Sequence, residues 1–279
     1  IPRPVGEEVD NIVERVATRG RSDGKPDRLR ESMTALTQEE TWYFRHNGFH
    51  RVRNGLPEEL VVRLNAATDR EVAGWVEPIV WEGEASGRTE DVRRLSKILS
   101  RDPVFLEAAR HPLVLDAVEA CLGPNVELLT NKHNHIMVRP AGSQPVPWHA
   151  GEETWDSTLI TALIYLEEST VDNGCIRLVP GSHNRPFRQP RRPQGDWYDS
   201  DWLLRSLPVP MPRGGVLLFN DACFHGADEN RTSGSRRSMT LAYRAHDTHD
   251  VEKEDPLKIL VRGERIYTGH PYPYPGEAR

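Results

Sequence analysis

The residues best suited to chemistry lie in three stretches of the sequence, which are Pro147–Trp155, Asp172–His183 and Phe219–Gly226. Each stretch contains one histidine, and a neutral imidazole is both a common metal ligand and a general base near neutral pH. The chain has eleven histidines, and a lone histidine is more often structural than functional. The residues around each histidine therefore decide which of them are candidates.

These stretches resemble the phytanoyl-CoA dioxygenase family of Fe(II)/2-oxoglutarate oxygenases. The strongest signals are Asn173–Cys175 followed by Pro180–His183, and Arg236 placed eleven residues after His225. The likeness runs from about Leu36 to about His246. It implies a mainly β fold with a helical buttress and a double-stranded β-helix (jelly-roll, cupin-like) core that holds a metal in its mouth.

The resemblance implies roles for five residues. The two iron-binding histidines of the family correspond to His149 and His225, and two imidazoles with one carboxylate form a facial triad that leaves coordination sites open. The arginine that binds the distal carboxylate of 2-oxoglutarate corresponds to Arg236, with Arg237 as an alternative, because a guanidinium binds a carboxylate through two parallel hydrogen bonds. Thr161 corresponds to a Ser or Thr that often assists on the strand after the first motif.

The carboxylate of the triad is missing from its usual place. The family places it two residues after the first histidine, because residues i and i+2 of a strand point to the same face. In this chain that residue is Gly151. In the non-haem iron halogenases that the chain resembles, Ala or Gly replaces the acid, and chloride takes its coordination position as one monoanion for another. This resemblance implies a halide-binding position at Gly151. It also implies an oxidoreductase that chlorinates an unactivated sp3 carbon with Fe(II), 2-oxoglutarate, O2 and chloride.

Two other functions fit the same residues. A hydroxylase of the family would use a displaced carboxylate such as Glu152, which requires a β-bulge because position i+3 faces away from His149. A chain without iron would be a non-catalytic jelly-roll module that binds small molecules. We expect His133 and His135, on one face of a predicted strand, and His183, at a turn, to be structural.

The segment 184–214 is predicted to be an insertion that forms a lid over the barrel mouth. It contains six prolines, and a connection this long in a compact domain is usually functional or disordered. As a lid it would offer arginines for a phosphate or carboxylate and Trp197 for stacking on a base; otherwise it is a solvated loop. The arginines are Arg185, Arg188, Arg191 and Arg192.

Among halogenases of this class, the chain looks most like the free-standing nucleotide enzymes of chlorinated purine-nucleoside antibiotic biosynthesis. That resemblance implies a purine deoxynucleotide substrate, similar to dAMP, that is chlorinated on the sugar. A free amino acid, an alkaloid and a carrier-bound acyl chain remain alternatives.

Composition narrows the class of partner. The 279 residues carry a formal net charge of −6, and 31 of the 36 basic residues are arginines. A net-acidic chain is a poor binder of polymeric nucleic acid, and no apolar run approaches the roughly 20 residues that span a bilayer. The three cysteines, Cys121, Cys175 and Cys223, are far apart and indicate reduced thiols in a cytoplasmic protein. We expect a small-molecule substrate and leave the oligomeric state open.

Helices are predicted first along the chain, and strands follow. Thr37–Glu40 has the spacing of a capping box, Gly48 ends that helix, and Pro57, Pro103 and Pro112 begin three more. Short apolar or alternating runs then predict six strands. These runs are Val126–Thr130, Asn134–Arg139, Thr158–Leu166, Cys175–Val179, Val216–Asn220 and Ser238–Arg244.

The predicted organisation has three parts. A peripheral N-terminal arm covers residues 1–36 and a single catalytic domain covers 37–250, including the possible lid. A C-terminal tail covers 251–279.

Overall fold

A computed structural model describes residues 36–74, 79–81, 92–151, 158–184, 201–246 and 258–264. All of these belong to one unit that begins at Thr34. The predicted N-terminal arm up to residue 35, residues 185–200 of the predicted lid and most of the predicted tail lie outside the described residues.

The predicted helices form where caps and prolines place them. The Thr37 hydroxyl accepts a hydrogen bond from the Glu40 N–H (3.2 Å), and the Glu40 carboxylate accepts one from the Thr37 N–H (2.9 Å), which completes the capping box. Gly48 ends this helix with a φ of 83°, in the left-handed region that favours glycine. The helices of the described residues are α1 (Gln38–Asn47), α2 (Glu58–Ala73), α3 (Pro103–Ala109), α4 (Pro112–Leu122) and α5 (Asp201–Leu204).

The strands of the described residues include all six predicted runs, each within two residues of the predicted bounds. They are β1 (Phe49–Gly55), β2 (Ile79–Trp81), β3 (Val92–Ser96), β4 (Val126–Leu129), β5 (His135–Arg139), β6 (Val146–His149), β7 (Leu159–Tyr165), β8 (Ile176–Leu178), β9 (Leu207–Pro208), β10 (Gly215–Asn220), β11 (His225–Ala227), β12 (Arg236–Ala245) and β13 (Lys258–Arg262).

The strands pair into two antiparallel sheets. The larger sheet has the order β1-β10-β7-β12-β5-β3-β2, and β4 pairs with both β12 and β13. The smaller sheet has the order β6-β11-β8-β9. Two facing sheets with helices against the outer face of the larger one confirm the predicted mainly β fold with a jelly-roll core.

The larger sheet is apolar on both faces, since successive side chains of a strand point to opposite sides. On β7, Ile160, Ala162 and Ile164 belong to the core that contains the helices. Leu163 and Tyr165 belong to a second core shared with residues of the smaller sheet. The space between the two sheets therefore holds packed apolar side chains, some of which also line a cavity.

Parts of the predicted lid and tail belong to the sheets. Leu207–Pro208 pairs with β8 in the smaller sheet, and Lys258–Arg262 pairs with β4 in the larger one. Arg262 also forms ion pairs of 2.5 Å with both Asp116 and Glu119 of α4. The sequence prediction ended the domain at residue 250 and so left β13 in the tail, because one short run gives little periodic signal.

A buried hydrogen bond joins the larger sheet to the helices and gives a test of this packing. The Tyr243 hydroxyl on β12 donates to the carbonyl of Ala109 (2.8 Å), which is one of the last carbonyls of α3 and has no partner within the helix. Tyr243→Phe should lower the free energy of unfolding by about 1 to 2 kcal/mol, because Ala109 loses its donor. In chemical denaturation, the exposed Tyr43→Phe serves as the control and should change little. An unchanged midpoint for Tyr243→Phe would contradict the contact.

Candidate active site

His149 and His225 face each other across two paired strands. They are direct partners in the antiparallel pairing of β6 with β11. Their ring centroids lie 4.2 Å apart. Directly opposed residues of an antiparallel pair project from the same face, so the pairing brings together two imidazoles that are 76 residues apart in the sequence.

Both imidazoles are held in the same tautomer by the backbone. The Nδ1 of His149 lies 2.8 Å from the carbonyl of Pro147, and the Nδ1 of His225 lies 2.8 Å from the carbonyl of Cys223. A carbonyl only accepts, so each Nδ1 carries the proton and each Nε2 keeps its lone pair. This second contact of the ring is how metal-binding histidines are commonly oriented.

Of the two facing histidines, His225 is the buried one. Its ring packs against Phe219 with centroids 4.8 Å apart. Burial, and then the neighbouring His149, lower the pKa of His225 to about 3. The ring is therefore neutral at physiological pH, which is the form that coordinates a metal.

The space beside Gly151 is filled by a carboxylate from the turn that follows β10. A Cβ added to Gly151 would overlap the Oδ2 and Cγ of Asp221. The Gly151 N–H also donates to the Asp221 backbone carbonyl (2.6 Å). A side chain at position 151 and the Asp221 carboxylate therefore exclude each other in this arrangement.

Asp221 is buried within a group of polar side chains. Its Oδ2 lies 2.6 Å from the Lys132 ammonium, in an ion pair that lacks hydrogen-bond geometry. Its Oδ1 lies 2.9 Å from His133 Nε2 and accepts from the Thr161 hydroxyl (3.3 Å). Burial alone would raise the pKa of Asp221, but His133 and Lys132 outweigh it and hold that pKa well below its usual range.

A turn between the two sheets positions Asp221. Its N–H donates to the carbonyl of Leu159 (2.9 Å), so Asp221 still pairs with the larger sheet. The Asn220 side chain accepts from the Ala222 N–H (2.9 Å), and the Asn220 carbonyl accepts from the Cys223 N–H (2.8 Å). This Asn-initiated turn crosses to the smaller sheet within a few residues and places Asp221 and His225 at one end of the barrel.

The cavity between the sheets has a volume of about 980 Å³ and reaches both histidines, Gly151 and Asp221. Arg236 is buried in its wall and donates from Nη2 to the Gly174 carbonyl (2.9 Å). Arg236 Nε and the Tyr165 hydroxyl are buried without a hydrogen-bond partner among the described residues. Burial lowers the pKa of Arg236, whereas it raises the pKa of Tyr165. Unsatisfied donors in a cavity wall fit a carboxylate ligand such as that of 2-oxoglutarate.

Arg236 and Arg237 are adjacent on β12, so their side chains point to opposite faces of the sheet. Arg236 lines the cavity. Arg237 points to the helix side, where its Nη1 lies 2.6 Å from the Asp69 carboxylate on α2 and its Nε lies 3.8 Å from Glu167. The structure therefore places Arg236, and not its neighbour, in the wall of the cavity.

Positive charge dominates the cavity wall. Among the lining residues that the structure describes, Asp221 is the single acid, and the basic residues are Arg94, Lys97, Lys132, Arg139, Arg236 and Arg244. Arg139 donates to the Asp228 carbonyl (2.8 Å), and Arg244 pairs with Glu127 (3.2 Å). Arg94 and Lys97 are exposed at the wall, and no carboxylate of the described ranges forms an ion pair with them.

The remaining predicted residues divide into three groups. His133 and His135 both line the cavity, with ring centroids 6.0 Å apart. His183 lies outside it, with its Nε2 3.0 Å from the Arg45 carbonyl, and Thr161 contacts Asp221 without lining the cavity. The other predicted site residues lie outside the described residues, namely Glu152, Arg185, Arg188, Arg191, Arg192 and Trp197.

Sequence reasoning missed Asp221, Lys132 and Tyr165. Asp221 stands only four residues before His225, and a search for acids around both histidines would have found it. Lys132 and Tyr165 carry no local signal, since one lies in a turn and the other completes an apolar strand. Within the described part of the chain, no three His, Cys, Asp or Glu side chains already surround one point as metal ligands. No helix of that part is long and apolar enough to cross a membrane.

Comparisons with known proteins identify the family of the chain. The family model described as phytanoyl-CoA dioxygenase (PhyH) matches residues 44–238. The probable phytanoyl-CoA dioxygenase of Caenorhabditis elegans is 24% identical over 250 residues, which are 80% of this chain and 80% of that protein.

Solved structures share the fold. EctD from S. alaskensis with 2-oxoglutarate and 5-hydroxyectoine has a TM-score of 0.67 at 22% identity, over 84% of this chain and 88% of that chain. The epimerase SnoN, from nogalamycin biosynthesis, in complex with Fe3+, alpha ketoglutarate and nogalamycin RO has a TM-score of 0.65 at 19% identity, over 85% and 95%. Since the family model covers well over half of the sequence, the chain belongs to the phytanoyl-CoA dioxygenase family of Fe(II)/2-oxoglutarate-dependent oxygenases.

Proposed function

We propose that this chain is a hydroxylase that uses Fe(II) and 2-oxoglutarate to oxidise an unactivated carbon of a small anionic molecule. The observation that supports hydroxylation over chlorination is the Asp221 carboxylate, which fills the space beside Gly151. The hydroxylase considered from the sequence used Glu152 for this carboxylate. Asp221 replaces it in the present proposal.

The residues at the site fit both cofactors. His149 and His225 would hold the metal through Nε2, because their Nδ1 atoms are bonded to carbonyls. Arg236 Nε and the Tyr165 hydroxyl would hold the distal carboxylate of 2-oxoglutarate, which supplies the donors with an acceptor. When bound, iron and 2-oxoglutarate activate O2, so that one oxygen atom enters the substrate and the other enters succinate as CO2 is released.

Electrostatics disfavours a halide beside Gly151. A chloride ion there would share a buried space with the Asp221 carboxylate, and like charges in a poorly solvated site repel strongly. The Lys132 ammonium lies 2.6 Å from the Asp221 carboxylate, so this positive charge is already paired with an anion. The family's carboxylate chemistry therefore fits this site better than the halide chemistry predicted from the sequence.

The cavity wall favours an anionic substrate. With Arg236 assigned to 2-oxoglutarate, Arg94 and Lys97 remain at the wall as basic groups without an ion pair in the described ranges. A guanidinium and an ammonium together bind a phosphate or a carboxylate. The deoxynucleotide considered from the sequence is one substrate of this kind, and a carboxylic acid is another.

Chlorination is the second candidate function, and the observation that favours it is that residue 151 is a glycine and carries no carboxylate of its own. It would replace one hydrogen of the substrate carbon with chloride. That hydrogen and one proton would enter water with one atom of O2, while the other oxygen atom enters succinate as 2-oxoglutarate releases CO2. It requires Asp221 to turn away and a halide to enter, so the product and its dependence on chloride separate the two functions.

Product analysis tests the hydroxylase proposal. The protein, Fe(II) and 2-oxoglutarate are incubated under 18O2 with deoxynucleoside monophosphates and small carboxylic acids, with and without chloride, and analysed by mass spectrometry. We expect a product that gains one 18O atom, at the same rate in chloride-free buffer. A chloride-dependent product with the chlorine isotope pattern would overturn the proposal in favour of halogenation.

Arg236→Ala tests the cosubstrate site, and Arg237→Ala is its matched control. Loss of a charge-assisted pair should raise the KM for 2-oxoglutarate at least roughly tenfold in Arg236→Ala. Arg237→Ala should lower thermal stability, because its contact with Asp69 is lost, and should leave that KM unchanged. Succinate formation measures both, and equal KM changes in the two variants would contradict the assignment.

The anionic-substrate proposal is tested at Arg94 and Lys97. The double variant Arg94→Ala with Lys97→Ala should raise the KM for the substrate roughly tenfold or more, with little change in the KM for 2-oxoglutarate. Arg93→Ala is the control, because Arg93 is exposed on the same strand and does not line the cavity. A substrate KM equal to that of the wild type in the double variant would refute the anion site.

A further inference from the structure

We propose that Asp221 is the third protein ligand of the metal, supplied from the turn before β11 instead of from the strand that carries His149. This inference rests on the proposed function and names the residue that completes its site. The ligand set would be His149, His225 and Asp221, with two neutral imidazoles and one carboxylate as in a facial triad.

The position of the Asp221 carboxylate is the first observation that supports its role as a ligand. A ligand two residues after His149 would leave the chain at the Cβ of residue 151, and the Asp221 carboxylate overlaps that point. The backbone hydrogen bond from Gly151 to Asp221 (2.6 Å) fixes the two segments side by side. Glycine at position 151 is thus the residue that makes room for a carboxylate arriving from Asp221.

The contacts around Asp221 are the second observation that supports its role as a ligand. Carboxylates that bind metals are usually themselves held by hydrogen bonds, and here His133 and Thr161 contact Oδ1 while Lys132 lies beside Oδ2. His133 has a φ of 48°, a left-handed conformation that is costly for a residue other than glycine. A backbone held in that conformation to direct an imidazole at Asp221 is the kind of strain found at functional sites.

Ligation requires one local movement. Among the described residues, no three potential metal ligands surround one point. Asp221 Oδ2 lies 2.6 Å from the Lys132 ammonium instead. Rotation about the short Asp side chain would turn Oδ2 from Lys132 toward the histidine pair. Because the carboxylate group is rigid, Oδ1 would move as well, and the His133 side chain would have to follow to keep its hydrogen bond.

Metal affinity tests the ligand directly. Co(II) is titrated anaerobically as a spectroscopic probe into the full chain and into Asp221→Asn, which keeps the size of the side chain but not its charge. We expect Asp221→Asn to weaken Co(II) binding at least tenfold. Asp228→Asn is the matched control, because Asp228 lies three residues after His225 and outside the cavity wall, and it should bind Co(II) as the wild type does. Wild-type affinity in Asp221→Asn would overturn the proposal.

Chloride titration separates a ligand from a residue that only supports one. In the wild type the position facing Gly151 would be taken by Asp221, so chloride should leave the visible spectrum of bound Co(II) unchanged. Asp221→Ala opens that position, and chloride should then shift the d–d bands. A chloride-dependent shift of equal size in the wild type would show that the position is vacant and would refute the proposal.

A double variant that moves the carboxylate to position 151 keeps the proposal testable even if a single variant fails to fold. Gly151→Asp alone should bind Co(II) poorly, because the new side chain collides with Asp221. The double variant Gly151→Asp with Asp221→Gly restores the family arrangement and should recover affinity to within about threefold of the wild type. A double variant that folds, by circular dichroism, yet binds Co(II) no better than Asp221→Asn would contradict the inference.

The outcomes for the ligand and for the function are independent. Wild-type Co(II) affinity in Asp221→Asn, together with a hydroxylated wild-type product, would remove the ligand proposal and leave the function standing. A wild-type product that gains neither oxygen nor chlorine, together with loss of Co(II) binding in Asp221→Asn, would remove the function and leave the ligand standing.

Discussion

The direct pairing of His149 with His225 is the constraint on which the rest of the site depends. Two antiparallel strands, β6 and β11, place the rings face to face at 4.2 Å between centroids. Carbonyls two residues upstream of each ring fix the tautomer that leaves both Nε2 atoms with lone pairs. The other residues of the site, Asp221 and Arg236 among them, line the same cavity as the two rings.

Charge balance explains why the site tolerates a glycine where its family has an acid. Lys132 brings a positive charge close to the two histidines, and the Asp221 carboxylate lies 2.6 Å from its ammonium. Asp221 reaches this place from the turn between β10 and β11. The Asp221 carboxylate occupies the place that a Cβ at position 151 would take, so the site holds a carboxylate although residue 151 carries none.

The sequence predicted those parts of the molecule that depend on local pattern. The caps at Thr37 and Gly48 and the six predicted strands all formed, as did the jelly-roll core implied by the resemblance. The relation of Asp221 to Gly151 was not predictable, because it arises from the pairing of β6 with β11 and from a turn that changes sheets. The choice between Arg236 and Arg237 likewise needed the parity of β12, since adjacent residues of a strand face opposite sides.

The central claim is that a carboxylate from Asp221 completes the metal site. The most direct measurement is a crystal structure of the anaerobic Fe(II) and 2-oxoglutarate complex, grown with chloride or bromide, with anomalous data to locate iron and halide. We expect iron bonded to His149, His225 and one oxygen of Asp221, with no halide facing Gly151. Iron bonded to a halide beside Gly151, with Asp221 still paired to Lys132, would contradict it.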